Sequence, residues 1–174
     1  MKHYRVLICF FCLWLGGCSL FQENDNFNQI FELGDTLGNS VLTIQFNKDY
    51  SLDEFSPPSP SGFFNYYPRE EESDYYIVEG TVTNLSSEPL DLSHLEVIFY
   101  GGKSKYYGHT ISLAEDESQF IQEIPENVSL PIYFITKVAN KDLEEIDSVV
   151  LRLNESLSTT NPSMESYKLL IQGE

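Results

Sequence analysis

The sequence predicts an all-β fold, an antiparallel sandwich or barrel of seven to eight strands. Three observations carry that expectation. Short runs of alternating apolar and polar residues recur along the chain, rich in Val, Ile, Tyr, Phe and Thr. Polar turns containing Pro, Gly, Asn or Asp separate them. No long segment has the 3.6-residue apolar period of an amphipathic helix.

Each element follows from its own residues. Val41-Leu42-Thr43-Ile44-Gln45-Phe46 alternates and is β-branched, so it opens the folded domain as a strand. From Lys48 to Asp74 the chain is irregular, and Pro57, Pro58, Pro60 and Pro68 exclude a central strand or helix there. Tyr75 to Thr83 is the clearest strand, with Tyr76, Val78, Gly80 and Val82 on one face and Tyr75, Ile77, Glu79 and Thr81 on the other. After the turn Asn84 to Pro89 comes a second strong strand, Leu95 to Tyr100, broken at Gly101-Gly102 by a hairpin turn or a bulge. Lys105 to Leu113 is expected to pair back, and Ser118 to Ile124 is a weaker strand. Leu130 to Val138 carries Pro131 at its start, where a missing donor does least harm. Asn140 to Glu145 suits one helical turn, with Asp142, Glu144 and Glu145 near its positive end. Asp147 to Asn154 and Tyr167 to Gln172 complete the set.

The N-terminus is organised differently. A basic head with Lys2 and Arg5 precedes an apolar run, Val6 to Leu15, and then small residues. That is the pattern of a secretory signal, and the run is too short for the roughly twenty residues that span a bilayer. Leu15-Gly16-Gly17-Cys18 resembles a bacterial lipobox. The resemblance implies a diacylglyceryl thioether (with palmitate-type chains) on Cys18 and cleavage before it. The expected organisation is a signal peptide over 1–17, a lipidated N-terminus and polar tether over 18–40, and the β domain over 41–174. Two or more acyl chains hold a protein stably on a membrane, where a single chain is marginal. The expected location is therefore the extracytoplasmic face of the cell membrane.

The three cysteines are Cys9, Cys12 and Cys18. All are consumed by the signal and the lipid, which removes thiol catalysis and disulfide stapling from the mature domain. The formal charge is −17, and losing the two cations Lys2 and Arg5 with the signal lowers it to −19. Such a surface repels nucleic acid, so no nucleic-acid partner is expected.

The segment Tyr75-Tyr76-Ile77-Val78-Glu79-Gly80-Thr81-Val82-Thr83-Asn84 resembles the central strand of the Ig-like (telokin-like) β-sandwich domains of Gram-positive lipoproteins. Asp91-Leu92-Ser93-His94-Leu95-Glu96-Val97 and Ser61-Gly62-Phe63-Phe64-Asn65-Tyr66-Tyr67 match in kind. The resemblance covers about Val41 to Gln172. It implies an Ig-like sandwich acting as a binding or accessory module of unknown function, with no catalytic residues to carry over. The strand-ending Asn84 fits such a turn because Asn tolerates left-handed backbone and caps turns.

Candidate chemistry is sparse. Past the signal only His94 and His109 remain, with no nucleophile elbow and no Ser/His/Asp spacing. Two distant histidines without cysteines do not make a zinc site. Glu70-Glu71-Glu72 with Asp74, Glu115-Asp116-Glu117, and Asp142-Glu144-Glu145-Asp147 are acidic clusters, but none has the EF-hand spacing. They read as solvated loops, and no metal, cofactor or enzymatic activity is expected. A metal-dependent hydrolase using these acids and a purely structural spacer are the competing readings. Phe63, Phe64, Tyr66 and Tyr67 are the sharper lead. Four large rings in a proline-flanked loop either fold back as a lid or present a recognition surface to a protein, peptide or envelope polymer. Tyr106 and Tyr107, beside Lys103 and Lys105, form a second aromatic pair suited to a cation–π contact or a binding rim.

Overall fold

The computed structural model describes residues 27–154, 157 and 165–171. The expected signal peptide, Cys18 and the first part of the expected tether lie outside the described residues. The chain forms a β-sandwich of two main sheets. One sheet holds, side by side, β1 (Gln29–Glu32), β13 (Glu165–Leu170), β12 (Ile146–Leu153), β6 (Leu95–Gly101) and β7 (Ser104–Tyr107). The other holds β2 (Thr36–Gly38), β3 (Leu42–Leu52), β4 (Ser73–Asn84), β11 (Ser129–Ala139), β8 (His109–Leu113) and β9 (Phe120–Ile121). A small ribbon pairs β5 (Leu90–Asp91) with β10 (Glu123–Ile124). All pairings are antiparallel except β1 with β13. The segments outnumber the expected seven or eight because two- to four-residue strands carry too few residues to show a period.

Alternation along the long strands builds two apolar layers. Tyr76, Val78 and Val82 of β4 and Ile132 and Phe134 of β11 point between the sheets, where they meet Val97, Phe99, Val149 and Leu151. Tyr75, Ile77, Tyr133 and Ile135 point to the opposite face and form a second cluster with Phe55, Ile111 and Leu113. A sheet that is apolar on both faces needs a cover on each. The segment between β3 and β4 supplies the second cover.

Three expectations change. First, the domain does not begin at Val41, because part of the expected tether is folded. Phe31 and Leu37 are 3 % and 1 % exposed, and Phe31 meets the rings of Phe46 and Tyr167 at 5.9 Å each. One buried residue per short polar strand leaves almost no compositional mark. Second, Lys105 to Leu113 is not one strand. β7 pairs with β6 in the first sheet, and β8 pairs with β11 in the second. The chain crosses between sheets at Gly108, where an added Cβ would lie 2.8 Å from both the Ile135 carbonyl and the Phe99 ring. Only glycine passes that gap without displacing the core. Third, the alternative left open at Gly101-Gly102 is decided: it is a hairpin turn, since Gly101 pairs with Ser104 and Gly102 has φ +58°. The expected turn over Asn140–Glu145 is present as a 3₁₀ segment.

Asn84 is buried and does not use left-handed backbone; among the described residues the left-handed non-glycines are Glu72, Glu117 and Asn127. Its role is a side-chain clasp. Its amide nitrogen lies 2.8 Å from the Glu88 carbonyl and 3.1 Å from those of Ile124 and Pro125. Its carbonyl accepts from the Ser86 N–H at 2.9 Å and the Ser86 hydroxyl at 2.8 Å. One side chain thus closes the β4–β5 turn and ties it to the end of β10.

Candidate functional site

The segment from Asp53 to Glu72 leaves β3, crosses the outer face of the larger sheet and returns to β4. Two aromatic residues pin it. Phe55 and Tyr67 exchange backbone hydrogen bonds, Phe55 N–H to Tyr67 O at 2.9 Å and Tyr67 N–H to Phe55 O at 2.8 Å. The Phe55 ring sits 4.9 Å from Phe120 and 5.0 Å from Tyr133, and the Tyr67 ring 5.4 Å from Tyr75. A further tie runs from the Ser59 N–H to the Glu117 carbonyl at 3.1 Å. Burying a large ring is worth roughly 1.5–3 kcal/mol, which is enough to hold a connection of this length.

The four rings singled out in the sequence therefore divide. Tyr67 belongs to the cover. Phe63, Phe64 and Tyr66 stand beyond the Phe55–Tyr67 closure, with exposures of 106 %, 37 % and 55 %. Phe64 and Tyr66 touch each other at 6.1 Å between ring centres. The loop is thus a lid at its base and an apolar point at its tip.

Tyr67 also lines a groove of about 420 Å³, together with Tyr75, Tyr106 and Tyr107. This brings the two aromatic groups predicted from the sequence to one place. The floor comes from Ile135 and Thr136 of β11, and the polar rim from Glu70, Lys137 and His109. Lys137 Nζ and Glu70 Oε2 lie 2.8 Å apart with both side chains about half exposed, and this bond holds the Lys137 ammonium above its ordinary range. Burial raises the Tyr67 and Tyr75 phenols above theirs, and the Tyr75 hydroxyl donates to the Pro68 carbonyl at 2.9 Å. The Thr136 hydroxyl donates to the Tyr107 carbonyl at 3.1 Å, fixing β7 against β11. Tyr106 turns inward and reaches Asp142 at 3.3 Å, whereas Tyr107 is 71 % exposed. The expected cation–π contact is made elsewhere, with Lys105 Nζ 5.3 Å from the Tyr100 ring.

The acidic clusters serve turns and pairs. Glu70 binds Lys137, and Glu72 has left-handed backbone at φ 59°. Asp116 accepts from the Ser118 hydroxyl at 2.7 Å and N–H at 3.1 Å, which holds its carboxyl below the usual range. Asp142 accepts from Tyr106. Among the described residues no three His, Cys, Asp or Glu side chains come together as metal ligands. His94 sits in the 3₁₀ turn Leu92–His94, whose Asp91 cap is acidified by the Ser93 hydrogen bonds. A second cavity of about 600 Å³ lies at the β3 bulge, beside Asp49, which accepts from the Tyr76 hydroxyl. Of the residues singled out in the sequence it is lined by Glu144 of the third acidic cluster and Tyr76, and by none of the candidate binding aromatics.

Sequence reasoning missed Phe55, Phe120 and the Glu70–Lys137 pair. Phe55 had a readable signal: Phe55-Ser56-Pro57 and Tyr67-Pro68 bracket the proline-rich stretch with an aromatic at each end. The Glu70–Lys137 contact joins residues far apart in the chain and leaves no local trace.

The architecture has a counterpart among solved structures. The chain is similar to an uncharacterised β-sandwich protein of Clostridium difficile, with 17 % identity, 82 % of this chain and 94 % of that one covered, and a TM-score of 0.62. A functionally unknown protein of Listeria monocytogenes aligns at 8 % identity over 79 % of this chain and 80 % of its own, with a TM-score of 0.49. A "putative lipoprotein" of Bacillus subtilis aligns at 16 % identity over 76 % of this chain and 37 % of its own, with a TM-score of 0.41. No family model and no curated protein matches the chain. Among the described residues no helix is long and apolar enough to cross a membrane.

Proposed function

We propose that this chain is a lipid-anchored, extracytoplasmic binding module without enzymatic activity. Its Ig-like sandwich holds an aromatic surface away from the membrane toward a protein, peptide or envelope polymer. The observation that carries this reading is the divided loop. Phe55 and Tyr67 spend their rings on holding the segment down, while Phe63, Phe64 and Tyr66 are held out in water. Exposed large rings on an anchored support are the usual anchors of recognition surfaces. The groove that unites Tyr67, Tyr106 and Tyr107 extends the same surface.

Strand order supports the Ig-like assignment. The orders β3-β4-β11-β8 and β6-β12-β13 correspond to the A-B-E-D and C-F-G sheets of that fold. The anchor is supported by Leu15 to Cys18 and by the polar residues that follow them. The absence of catalysis is supported by Glu70, Asp116 and Asp142, acidic-cluster carboxylates engaged by Lys137, Ser118 and Tyr106.

Two measurements test the reading. Cys18→Ala should move the chain out of the membrane fraction; unchanged partitioning would contradict the anchor. Replacing Phe63, Phe64 and Tyr66 together with Ser should abolish retention on envelope stripped of membrane lipid, at unchanged melting temperature. Equal retention would contradict the binding surface.

A further inference from the structure

We infer that the tyrosine groove takes a carbohydrate, a neutral or amino-substituted sugar chain. The inference rests on the binding-module reading and names the ligand class of the groove beside the tip. Its volume of about 420 Å³ lies within the roughly 300–1,000 Å³ typical of small-ligand sites. Tyr67, Tyr75, Tyr106 and Tyr107 give it aromatic walls, and the electron-rich face of a phenol ring attracts the C–H faces of a pyranose.

The polar groups discriminate among occupants. Glu70 is an acceptor and Lys137 a donor, side by side at 2.8 Å and both about half exposed. The Thr136 and Tyr75 hydroxyls are buried and donate to the Tyr107 and Pro68 carbonyls, so the half-exposed Glu70–Lys137 pair carries the polar contact with a newcomer. A ligand that fits must both donate and accept over a short span, as vicinal hydroxyls do. A proline-rich strand also suits aromatic grooves, but its imino residues bring carbonyls and no N–H, so it would offer Glu70 no further donor beside Lys137. A polyol phosphate is disfavoured by the chain's formal charge of −17. An amino or acetamido sugar adds a donor suited to Glu70.

The test is calorimetric titration of the full chain, in a detergent lacking a sugar headgroup. The probes are tri-N-acetylchitotriose, cellotriose, a glycerol-phosphate oligomer and decaproline. Saturable binding of at least one sugar is expected, weakened tenfold or more by Tyr107→Ala and by Glu70→Gln. Tyr107 is exposed, so its replacement leaves the fold intact. The tip variant should bind the same sugar within twofold of wild type. The inference is overturned if neither sugar binds, if Tyr107→Ala changes affinity less than twofold, or if decaproline or the phosphate oligomer binds more tightly than both sugars. Envelope retention is scored separately. Sugars that fail while retention still depends on Phe63, Phe64 and Tyr66 would remove the groove assignment and leave the binding-module reading standing.

Discussion

Phe55→Ala separates lid from recognition surface. Phe55 is 9 % exposed and packs on Phe120, Tyr133 and Tyr67, with ring centres 4.9, 5.0 and 6.3 Å away. Truncating a buried Phe costs about 3–5 kcal/mol. The outer cluster is bounded by solvent rather than by a second sheet and can partly collapse, so the lower end applies, about 3 kcal/mol. For a domain of this size that lowers Tm by roughly 6–12 °C. The triple Ser variant at Phe63, Phe64 and Tyr66 loses the Phe64–Tyr66 ring contact at 6.1 Å and the partial burial of Phe64, and should change stability by less than about 1 kcal/mol. Urea unfolding at neutral pH, with m unchanged, measures both. A Phe55→Ala cost below about 1 kcal/mol, or a tip variant as damaging as Phe55→Ala, would refute the division of the loop.

Further outcomes follow from other parts of the fold. Asn84→Asp keeps the acceptor for Ser86 but sets an oxygen against the carbonyls of Glu88, Ile124 and Pro125, so it should cost at least as much as Asn84→Ala, about 2–4 kcal/mol. Because the new carboxyl is buried, its penalty should shrink as pH falls and it protonates; a variant within about 0.5 kcal/mol of wild type in urea would contradict the clasp. Gly108→Ala should lose about 3 kcal/mol through contact with the Ile135 carbonyl and Phe99 ring, and a melting temperature equal to wild type would show that the crossing has slack. Stability should also fall on the alkaline side. Tyr133 is pushed up to about 12 by burial and by Glu79, and burial likewise raises Tyr50. The unfolded tyrosines ionise near pH 10, so the contribution is intact below that pH and drains away as pH rises through the folded values. Urea midpoints at pH 9, 10 and 11 that do not decline would refute this.

Much of the fold was legible because the long strands carry complete alternations. Tyr75 to Thr83 and Leu130 to Val138 show apolar residues on both faces, which is the signature of a sheet covered twice. Gln29–Glu32 was not legible, because a four-residue strand with one buried ring is locally a polar segment. The crossing at Gly108 was hidden because each half alternates regularly, and only the two pairings show that they belong to different sheets. At the site, composition located the rings but not their division of labour. Whether Tyr67 or Tyr66 turns inward is decided by the pairing of Tyr67 with Phe55, twelve residues upstream. That Tyr67 shares a groove with Tyr107 depends on the path of β7, which no local pattern encodes.

Co-sedimentation of the full chain with envelope stripped of membrane lipid, wild type against the variant with Phe63, Phe64 and Tyr66 changed to Ser, tests the central claim most directly. The account predicts that wild type is retained and the variant released, with indistinguishable melting curves. Equal retention of both proteins, or a variant that unfolds, would contradict it.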